Sequence, residues 1–435
     1  MSENAKYNVA IKASVIFLLI IIFIIPTIFI NSLVRDRQMR QEAAIREVSS
    51  KWAETQTIAG PIVSIPYYEY FKTQSGTVEK QKKYMHILPD ELNIEGNLFP
   101  EKRYRGIYEV VVYGSKLKFN GSFSSLSLGD PSVQKQNILF NEAFVSVGIS
   151  DLRGLEDQIA IKWNNDESSF NPGVESFDII KSGINASIKI NPSDTGDVKY
   201  NFLFNLNLKG SQYIYFTPVG KETKVNLSSE WTTPSFDGAF LPDKREIDAK
   251  GFKAYWKVLH LNRNYPQRWI SDKYTVDNSA FGINLIVPID HYTKTDRSIK
   301  YAILFIALTF LIFFFLELIN NKAVHFIQYT LIGFALCIFY VLLLSISEHL
   351  PYNFAYWIAS AMTIGLIAWY TRSILRDKKL SALVAGNLLL LYGFIFTIIQ
   401  LEDYALLIGS LGLFLILAVV MYFSKKIDWA SLSGK

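Results

Sequence analysis

The chain has 435 residues, a formal net charge of +5 and a hydrophobic fraction of 50%. Its length predicts two or three folded units, and its mean hydropathy of +0.18 is high for a soluble protein. The basic residues do not form a stripe, which argues against nucleic-acid binding, and the single cysteine, Cys337, excludes a thiolate metal cluster.

The first predicted element is a transmembrane anchor. Ala13–Val34 is a run of 22 uncharged residues between Lys12 and Arg35, and about 20 apolar residues are needed to cross a bilayer. The run is longer than a typical signal-peptide core and lacks a small-residue cleavage site, so we expect an uncleaved helix. Pro26 is predicted to kink it, because proline cannot donate a helix hydrogen bond. Residues 1–34 are therefore interpreted as a cytoplasmic N-terminus and an anchor helix.

Residues 35–298 are predicted to form a large β-rich domain outside the membrane. A helix is expected to continue from the anchor over residues 35–56 and to stop at Gly60-Pro61. Beyond it, apolar and polar residues alternate, as in Val198–Lys209. A period of two is typical of strands with one buried and one wet face, and it predicts antiparallel sheets in a sandwich or a large twisted sheet.

Residues 299–424 are predicted to form a block of five further transmembrane helices, followed by a tail at 425–435. The five runs are Tyr301–Asn321, Phe326–Ser347, Leu350–Thr371, Leu380–Leu401 and Tyr404–Ser424. Each is long enough to span a bilayer, and the last four contain no charged residue. The predicted fold class is therefore an α+β membrane protein with an N-terminal anchor, an outer β-rich domain and a C-terminal bundle of five helices.

The topology follows from the positive charges of the short loops. Lysine and arginine residues near the ends of the spans fall on one side of a six-span arrangement. They are Lys6, Lys12, Lys322, Arg372, Arg376, Lys378, Lys379, Lys425 and Lys426. The opposite short loops contain no lysine or arginine, so the positive-inside rule predicts that both termini are cytoplasmic and that residues 35–298 lie outside.

The outer domain shows no recognisable catalytic motif. The sequence contains no GxSxG, HExxH, P-loop or GxGxxG string, so no catalytic residue, cofactor or metal site is predicted. His86, His260 and His291 are scattered and are interpreted as ordinary surface or partly buried residues. The aromatic stretch Tyr255–Trp269 fits either a packed core or a surface for a partner.

Glu317 is the first candidate functional residue. It lies near the inner end of the second span, and an ionisable group inside a membrane suggests a function. It is also close enough to the interface to snorkel, or to pair helices through a partner such as Lys322 or His325. Both interpretations stay open.

A second candidate site combines two loops on the outer side. Glu348 and His349 close the third span, and Glu402 and Asp403 close the fifth. Four such groups could converge to hold a cation or a proton. Ordinary polar loops at the membrane interface are the alternative.

Short strings along nearly the whole chain resemble one bacterial family. The strings include Thr57–Pro61, Arg103–Tyr108, Trp231–Phe236, Gly251–Trp256, Arg297–Tyr301, Ser345–His349 and Glu402–Leu407. Together they are similar to the CreD family of inner-membrane proteins. The resemblance implies a periplasmic β-rich domain and a role in cell-envelope integrity and stress response. No enzymatic activity or catalytic residue is established for that family, so none is carried over.

The preferred hypothesis is a non-enzymatic envelope protein that acts through its periplasmic domain. Its expected partners are the lipid bilayer and other envelope proteins or cell-wall components, without nucleic acid. A transporter or channel is one alternative, although the spans contain almost no buried charge. A membrane enzyme that acts on lipid or cell-wall intermediates through Glu348, His349, Glu402 and Asp403 is the other.

Overall fold

A computed structural model of the chain divides into two compact units. It describes residues 3–72, 77–124, 126, 133–192, 198–285, 290–320, 324–401 and 404–425. The helical unit comprises Met1–Glu42 and Ile289–Lys435, and the β unit comprises Ala43–Pro288. Each unit is described by itself below.

Eight α-helices occur in the described residues. They are α1 (Glu3–Ile22), α2 (Ile24–Trp52), α3 (Asp290–Lys300), α4 (Ala302–Asn320), α5 (Phe326–Ser347), α6 (Tyr352–Leu375), α7 (Lys378–Gln400) and α8 (Ala405–Ser424). The described chain contains six helical stretches that are long and apolar enough to cross a membrane. The N-terminal apolar helix, the β-rich middle region and the C-terminal group of apolar helices are thereby confirmed. The short polar helix α3 was not predicted.

The anchor is interrupted near Pro26, as predicted. Helix α1 ends at Ile22 and α2 begins at Ile24. Proline has no amide hydrogen for the carbonyl of residue 22, and its ring crowds that carbonyl, so the helix breaks there. The hydroxyl of Thr27 donates to the carbonyl of Phe23 at 2.8 Å and partly replaces the weakened helix hydrogen bonding.

The β unit contains seventeen strands in the described residues. They are β1 (Gln56–Lys72), β2 (Val78–Ile87), β3 (Glu91–Arg105), β4 (Tyr108–Ser124), β5 (Phe144–Ile149), β6 (Ala160–Trp163), β7 (Asp166–Ser169), β8 (Asn171–Pro172), β9 (Gly183–Ser187), β10 (Lys199–Ser211), β11 (Tyr213–Thr217), β12 (Glu222–Ser229), β13 (Ser235–Gly238), β14 (Lys244–Asp248), β15 (Gly251–Leu259), β16 (Arg268–Ile270) and β17 (Phe281–Asn284).

The helix predicted over residues 35–56 ends before its expected stop. Helix α2 finishes at Trp52, and Gly60-Pro61 lies inside strand β1. The predicted stop is therefore wrong. The register of β1 against β5 shifts between Ala59 and Ile62. Such a bulge leaves a position without a ladder hydrogen bond, and proline is tolerated there.

The strands form two sheets. The nine-stranded sheet runs β13-β17-β11-β1-β5-β9-β8, with β2 paired to β1 and β16 paired to β2, and the eight-stranded sheet runs β14-β15-β12-β3-β4-β10-β6-β7. Most pairs are antiparallel, as the alternating pattern predicted. The pairs β1–β11 and β3–β12 are parallel, so each sheet is mixed and the purely antiparallel prediction needs this correction.

The two sheets share one hydrophobic core. Val63 and Ile214 from the nine-stranded sheet and Phe119 and Phe204 from the eight-stranded sheet belong to the same buried cluster. The rings of Trp256 on β15 and Phe281 on β17 lie 5.7 Å apart and join the two layers. The β unit is therefore a sandwich, in which burial of each such large side chain stabilises the fold by about 2–3 kcal/mol.

Aromatic side chains fill the interior of the helical unit. Phe305, Phe339, Tyr356 and Tyr392 are almost fully buried and contact one another. The hydroxyl of Tyr356 on α6 donates to the backbone carbonyl of Tyr392 on α7 at 2.8 Å. Because lipid tails are as apolar as these side chains, close packing and such interhelical hydrogen bonds hold the helices together.

Candidate functional site

Glu317 joins three helices of the helical unit at one point. Lys12 on α1 donates a hydrogen bond to its Oε1, and the hydroxyl of Tyr329 on α5 donates to its Oε2 at 3.3 Å. The side chain of Glu317 is 12% exposed and that of Lys12 is 27% exposed. This contact therefore ties the anchor to α4 and α5 through a charge pair that is largely shielded from solvent.

The partner of Glu317 differs from those expected. His325 caps the start of α5, where its Nδ1 accepts from the backbone N–H of Ile327 at 3.3 Å. Lys322 lies outside the described residues. Lys12 is 305 positions away in the sequence, so local spacing could not identify it. The geometry corresponds to the helix-pairing alternative, and any further role of Glu317 stays a prediction.

Glu348 forms a similar contact in the same unit. It follows the last residue of α5, and its Oε1 lies 3.6 Å from Nε of Arg37 on α2. The hydroxyl of Tyr292 on α3 donates to the same oxygen at 3.3 Å. The Glu348 side chain is 8% exposed. A second buried carboxylate therefore engages a cation of the anchor-derived helix α2.

The other proposed members of that loop site do not join this contact in the described residues. His349 is exposed, and its backbone N–H donates to the carbonyl of Ile346 at 3.0 Å. Glu402 and Asp403 lie outside the described residues. Convergence of the four groups therefore stays a prediction, and the described residues that face the Glu348 carboxylate include Arg37 and Tyr292.

A Ser-His-Asp arrangement in the β unit, with a buried serine and histidine and a partly exposed aspartate, was missed by the sequence reasoning. Ser64 Oγ lies 2.9 Å from Nδ1 of His86, and Nε2 of His86 lies 3.0 Å from Asp178 Oδ2. The hydrogen bond from His86 lowers the pKa of Asp178 below its usual value. His86 is 2% exposed, so its interpretation as a surface or partly buried residue was wrong.

Packing shields the serine of this arrangement from solvent. Ser64 is also 2% exposed, and the ring of Trp269 packs at 6.1 Å from the ring of His86. The three residues connect β1, β2 and the segment before β9, and each buried polar atom gains a partner. Because Ser64 and His86 are directly opposite in the β1–β2 register, a correct hairpin prediction would have found that pair.

A trough of about 780 Å³ lies on the eight-stranded sheet. Six adjacent strands form its floor, in the order β10, β4, β3, β12, β15 and β14. The side chains that face the trough alternate with core residues along each strand. On β10, for example, exposed Asn205 lies between buried Phe204 and Leu206. The trough therefore occupies the wet face of the sandwich.

The strand register arranges most of the lining side chains in two rows that cross the sheet. The first row consists of Asn207, Lys116, Asn97, Ser228, Lys253 and Glu246. The second row consists of Asn205, Lys118, Glu95, Asn226, Tyr255 and Lys244. Strand spacing and rise give each row a length of about 24 Å and a separation of about 7 Å.

The trough has a net positive charge that no internal pairing neutralises. Its five cations are Lys116, Lys118, Lys244, Arg245 and Lys253. Against two carboxylates, Glu95 and Glu246, they leave a net charge of +3. None of these seven groups forms a salt bridge with another residue in the described ranges. Farther along the same face, by contrast, Glu222 pairs with both Lys224 and Lys257.

Gly96 lies at the centre of the sheet behind the trough. It is paired with Leu117 on one side and Leu227 on the other. A Cβ at this position would lie 2.6 Å from a Cδ2 atom of each leucine. The missing side chain lets the leucines close over the middle strand on the core side, which allows a concave surface on the opposite face.

Comparison with known proteins identifies the family. The family described as "Inner membrane protein CreD" matches residues 8–430. The inner membrane protein CreD of Escherichia coli (strain K12) is 32% identical in an alignment of 430 positions that covers 97% of this chain and 94% of that protein. The chain belongs to the CreD family. The resemblance seen in the sequence is thereby confirmed.

Membership of the CreD family gives the two units a cellular setting. The chain is a multi-pass protein of the inner membrane, and the six helical stretches of the described residues are long and apolar enough to be its spans. Among solved structures, an M1 zinc metallopeptidase from Deinococcus radiodurans is 9% identical and covers 39% of each chain at a TM-score of 0.19. A likeness this weak carries no argument about this CreD-family chain.

Possible metal ligands were also compared in space. Within the described ranges, no group of three or more histidine, cysteine, aspartate or glutamate side chains is placed to hold a metal ion. The features that stand out in this CreD-family chain are therefore the two helix-joining carboxylates and the trough.

Proposed function

We propose that this chain supports the integrity of the bacterial cell envelope and its response to stress as a non-enzymatic protein. In this proposal the spans hold the β unit in the periplasm, where it contacts envelope components. The proposal rests on the contacts that two carboxylates of the helical unit make. Glu317 and Glu348 are each engaged by a cation of the anchor or its continuation, Lys12 and Arg37.

These contacts support a structural role for the helical unit, as the part of the chain that anchors the β unit to the membrane. A carboxylate used for transport or acid–base chemistry must be free to exchange protons or ions. A carboxylate held by a cation and a tyrosine hydroxyl from two other helices instead fixes helix positions. The cavity between α5 and α6, about 210 Å³, is lined by apolar side chains such as Leu331, Ile367 and Trp369. That lining differs from the polar path that a charged solute requires.

The orientation is part of the same proposal. We infer that residues 1–34 form the cytoplasmic N-terminus and anchor, 35–298 the periplasmic part, 299–424 the membrane block and 425–435 a cytoplasmic tail. The support is the positive-inside asymmetry, with lysine and arginine confined to one set of short loops.

A gene deletion with complementation tests this function. Cells without the gene are expected to leak a periplasmic reporter enzyme and to become more sensitive to a β-lactam, and the full chain should restore both properties. Equal leakage and sensitivity with and without the gene would contradict the proposal.

The same strain separates a structural role from catalysis. Ser64→Ala removes the hydroxyl that faces His86 and changes little volume, so it should complement like the wild-type chain. If Ser64→Ala accumulated normally in the membrane but failed to complement, a catalytic serine would replace the non-enzymatic interpretation.

A further inference from the structure

We propose that the trough on the eight-stranded sheet binds a glycan strand of the cell wall that carries carboxylates. This inference deepens the proposed function and rests on it, because the β unit meets such a strand in the periplasm. It is carried by the charge, the hydrogen-bonding groups and the shape of the trough.

The unneutralised charge indicates an anionic ligand. The two rows, each about 24 Å long, contain four of the five cations and both carboxylates, so a net charge of +2 is spread along them instead of being concentrated at one point. Lys118 lies directly opposite Glu95 in the β3–β4 register, yet the two do not form a salt bridge. Their charged groups therefore remain available to a ligand. A strand with carboxylates at intervals fits spaced cations better than a compact anion does.

The neutral groups in the trough suit sugar hydroxyls. Asn97, Asn205, Asn207 and Asn226 line it. Each amide side chain has two donors and an acceptor oxygen, and each sugar hydroxyl both donates and accepts. Two of these amides already have partners: Ser228 Oγ donates to Asn97 at 2.5 Å, and Asn207 donates to Asp157. These two hydrogen bonds fix the orientation of the Asn97 and Asn207 amides, whose other donors and acceptors remain available for a sugar.

Tyr255 adds one half-buried aromatic ring to the second row, between Asn226 and Lys244. An aromatic ring can pack against the apolar face of a sugar while its hydroxyl remains wet. The aromatic stretch Tyr255–Trp269 therefore contributes to both alternatives raised by the sequence. Tyr255 faces the trough, whereas Trp256 is buried in the core.

The trough matches other polyanions less well. Single-stranded nucleic acid favours several stacking aromatics in a continuous positive groove. Here one tyrosine is present, and Glu95 and Glu246 would face the evenly spaced phosphates. An acidic protein segment offers the charge but few hydroxyls for the four asparagines. These ligands enter the test as competing outcomes.

Binding is tested with the purified full chain in nanodiscs of zwitterionic lipid. The probe is a set of soluble cell-wall glycan fragments that retain their stem-peptide carboxylates, and microscale thermophoresis measures the dissociation constant. We expect saturable binding that weakens as salt is added, because exposed charges are screened. The same fragments with amidated carboxylates should bind about tenfold more weakly or not at all.

Matched variants locate the binding surface. The triple variant Lys118→Gln, Lys244→Gln and Lys253→Gln lowers the trough charge from +3 to zero and should weaken binding at least about tenfold. The control variant Lys181→Gln, Lys221→Gln and Lys250→Gln removes the same charge at exposed positions outside the trough. It should retain wild-type affinity.

A second pair of variants tests the aromatic ring of Tyr255. Tyr255→Phe should bind like wild type, because the ring is retained, and Tyr255→Ala should bind several-fold more weakly. Folding of every variant is checked by circular dichroism.

Four results would overturn the proposal. They are no binding of the fragments, equal binding of amidated fragments, equal losses in the two triple variants, and tighter binding of polyglutamate, an oligonucleotide or anionic vesicles. The binding measurement uses purified protein and does not depend on orientation. If the chain complements the deletion but binds no fragment, only the proposed glycan ligand is refuted. If the β unit is found to be cytoplasmic, the proposed function itself is refuted.

Discussion

The link between the anchor and the membrane bundle gives the sharpest prediction about stability. Replacing Glu317 by glutamine keeps the shape of the side chain but leaves the Lys12 ammonium without its counter-charge. An exposed ion pair contributes about 0.2–1 kcal/mol, and breaking a buried one costs about 3–5 kcal/mol. With exposures of 12% for Glu317 and 27% for Lys12, the pair lies between these limits. We expect a loss of about 1–3 kcal/mol.

The chain contains its own probe for this measurement. Cys337 is its single cysteine and is buried in α5. A maleimide dye that fluoresces on reaction with a thiol therefore reports unfolding of the helical unit in detergent. In a folded unit of about 150–250 residues, such as the helical unit, a loss of about 1 kcal/mol lowers the melting temperature by roughly 2–4 °C. Glu317→Gln and Lys12→Met should each lower it by several degrees.

The double variant distinguishes loss of the Lys12–Glu317 ion pair from unrelated destabilisation by each substitution. If Lys12 and Glu317 act through each other, Glu317→Gln combined with Lys12→Met should cost less than the two single losses added together, because no unpaired charge remains. Strictly additive losses, or melting temperatures equal to wild type in both single variants, would refute the reasoning. Arg40→Gln breaks an exposed pair with Asp36 and is the control with an expected change near zero.

Three further predictions concern the other sites. Asp178→Ala should destabilise the β unit by about 1–3 kcal/mol in urea unfolding, because it leaves His86 Nε2 without its partner. Since the fold lowers the pKa of Asp178, the greater stability of the wild type should be present above about pH 4. It should disappear as the pH falls through the pKa of Asp178 in the folded state. Gly96→Ala should cost about 1–3 kcal/mol through overpacking against Leu117 and Leu227 and should also weaken fragment binding. Glu348→Ala should lower the Cys337-reported melting temperature more than Glu348→Gln, whose amide still accepts from Tyr292.

The elements that the sequence predicted well are those whose signal is local. Apolar runs long enough to span a bilayer identified the transmembrane helices, and Pro26 located the break between α1 and α2. Most of the alternating stretch Val198–Lys209 became strand β10, with its apolar residues buried apart from Leu203 and most of its polar ones exposed. In each case the period of the pattern is the period of the element itself.

The elements that the sequence missed depend on contacts between distant residues. Parallel pairing of β3 with β12 joins segments about 130 positions apart, and nothing in either strand specifies the other. The composition of Gly60-Pro61 predicted the end of a helix, whereas the structure places it at a bulge in strand β1. The site residues follow the same rule: Glu317 was visible as a charge in an apolar run, whereas its partner Lys12 was not.

The trough was hidden for a related reason. Each strand shows its lysines and asparagines as an ordinary wet face, as in Lys116–Asn120 on β4. Only the register across six strands collects them into two rows with excess positive charge. Sequence periodicity gives the face on which a side chain lies, but not its neighbours across the sheet.

The most direct test of the central claim is the side of the membrane on which each unit lies. In a Cys337→Ser background, Lys181→Cys reports the β unit and Lys379→Cys, in the first turn of α7, reports the end of that helix next to α6; both lysines are exposed. Cells with a permeabilised outer membrane are treated with a maleimide that cannot cross the inner membrane. We predict that Lys181→Cys is labelled in intact spheroplasts and Lys379→Cys only after lysis. Labelling of Lys379→Cys before lysis, or protection of Lys181→Cys, would contradict the account.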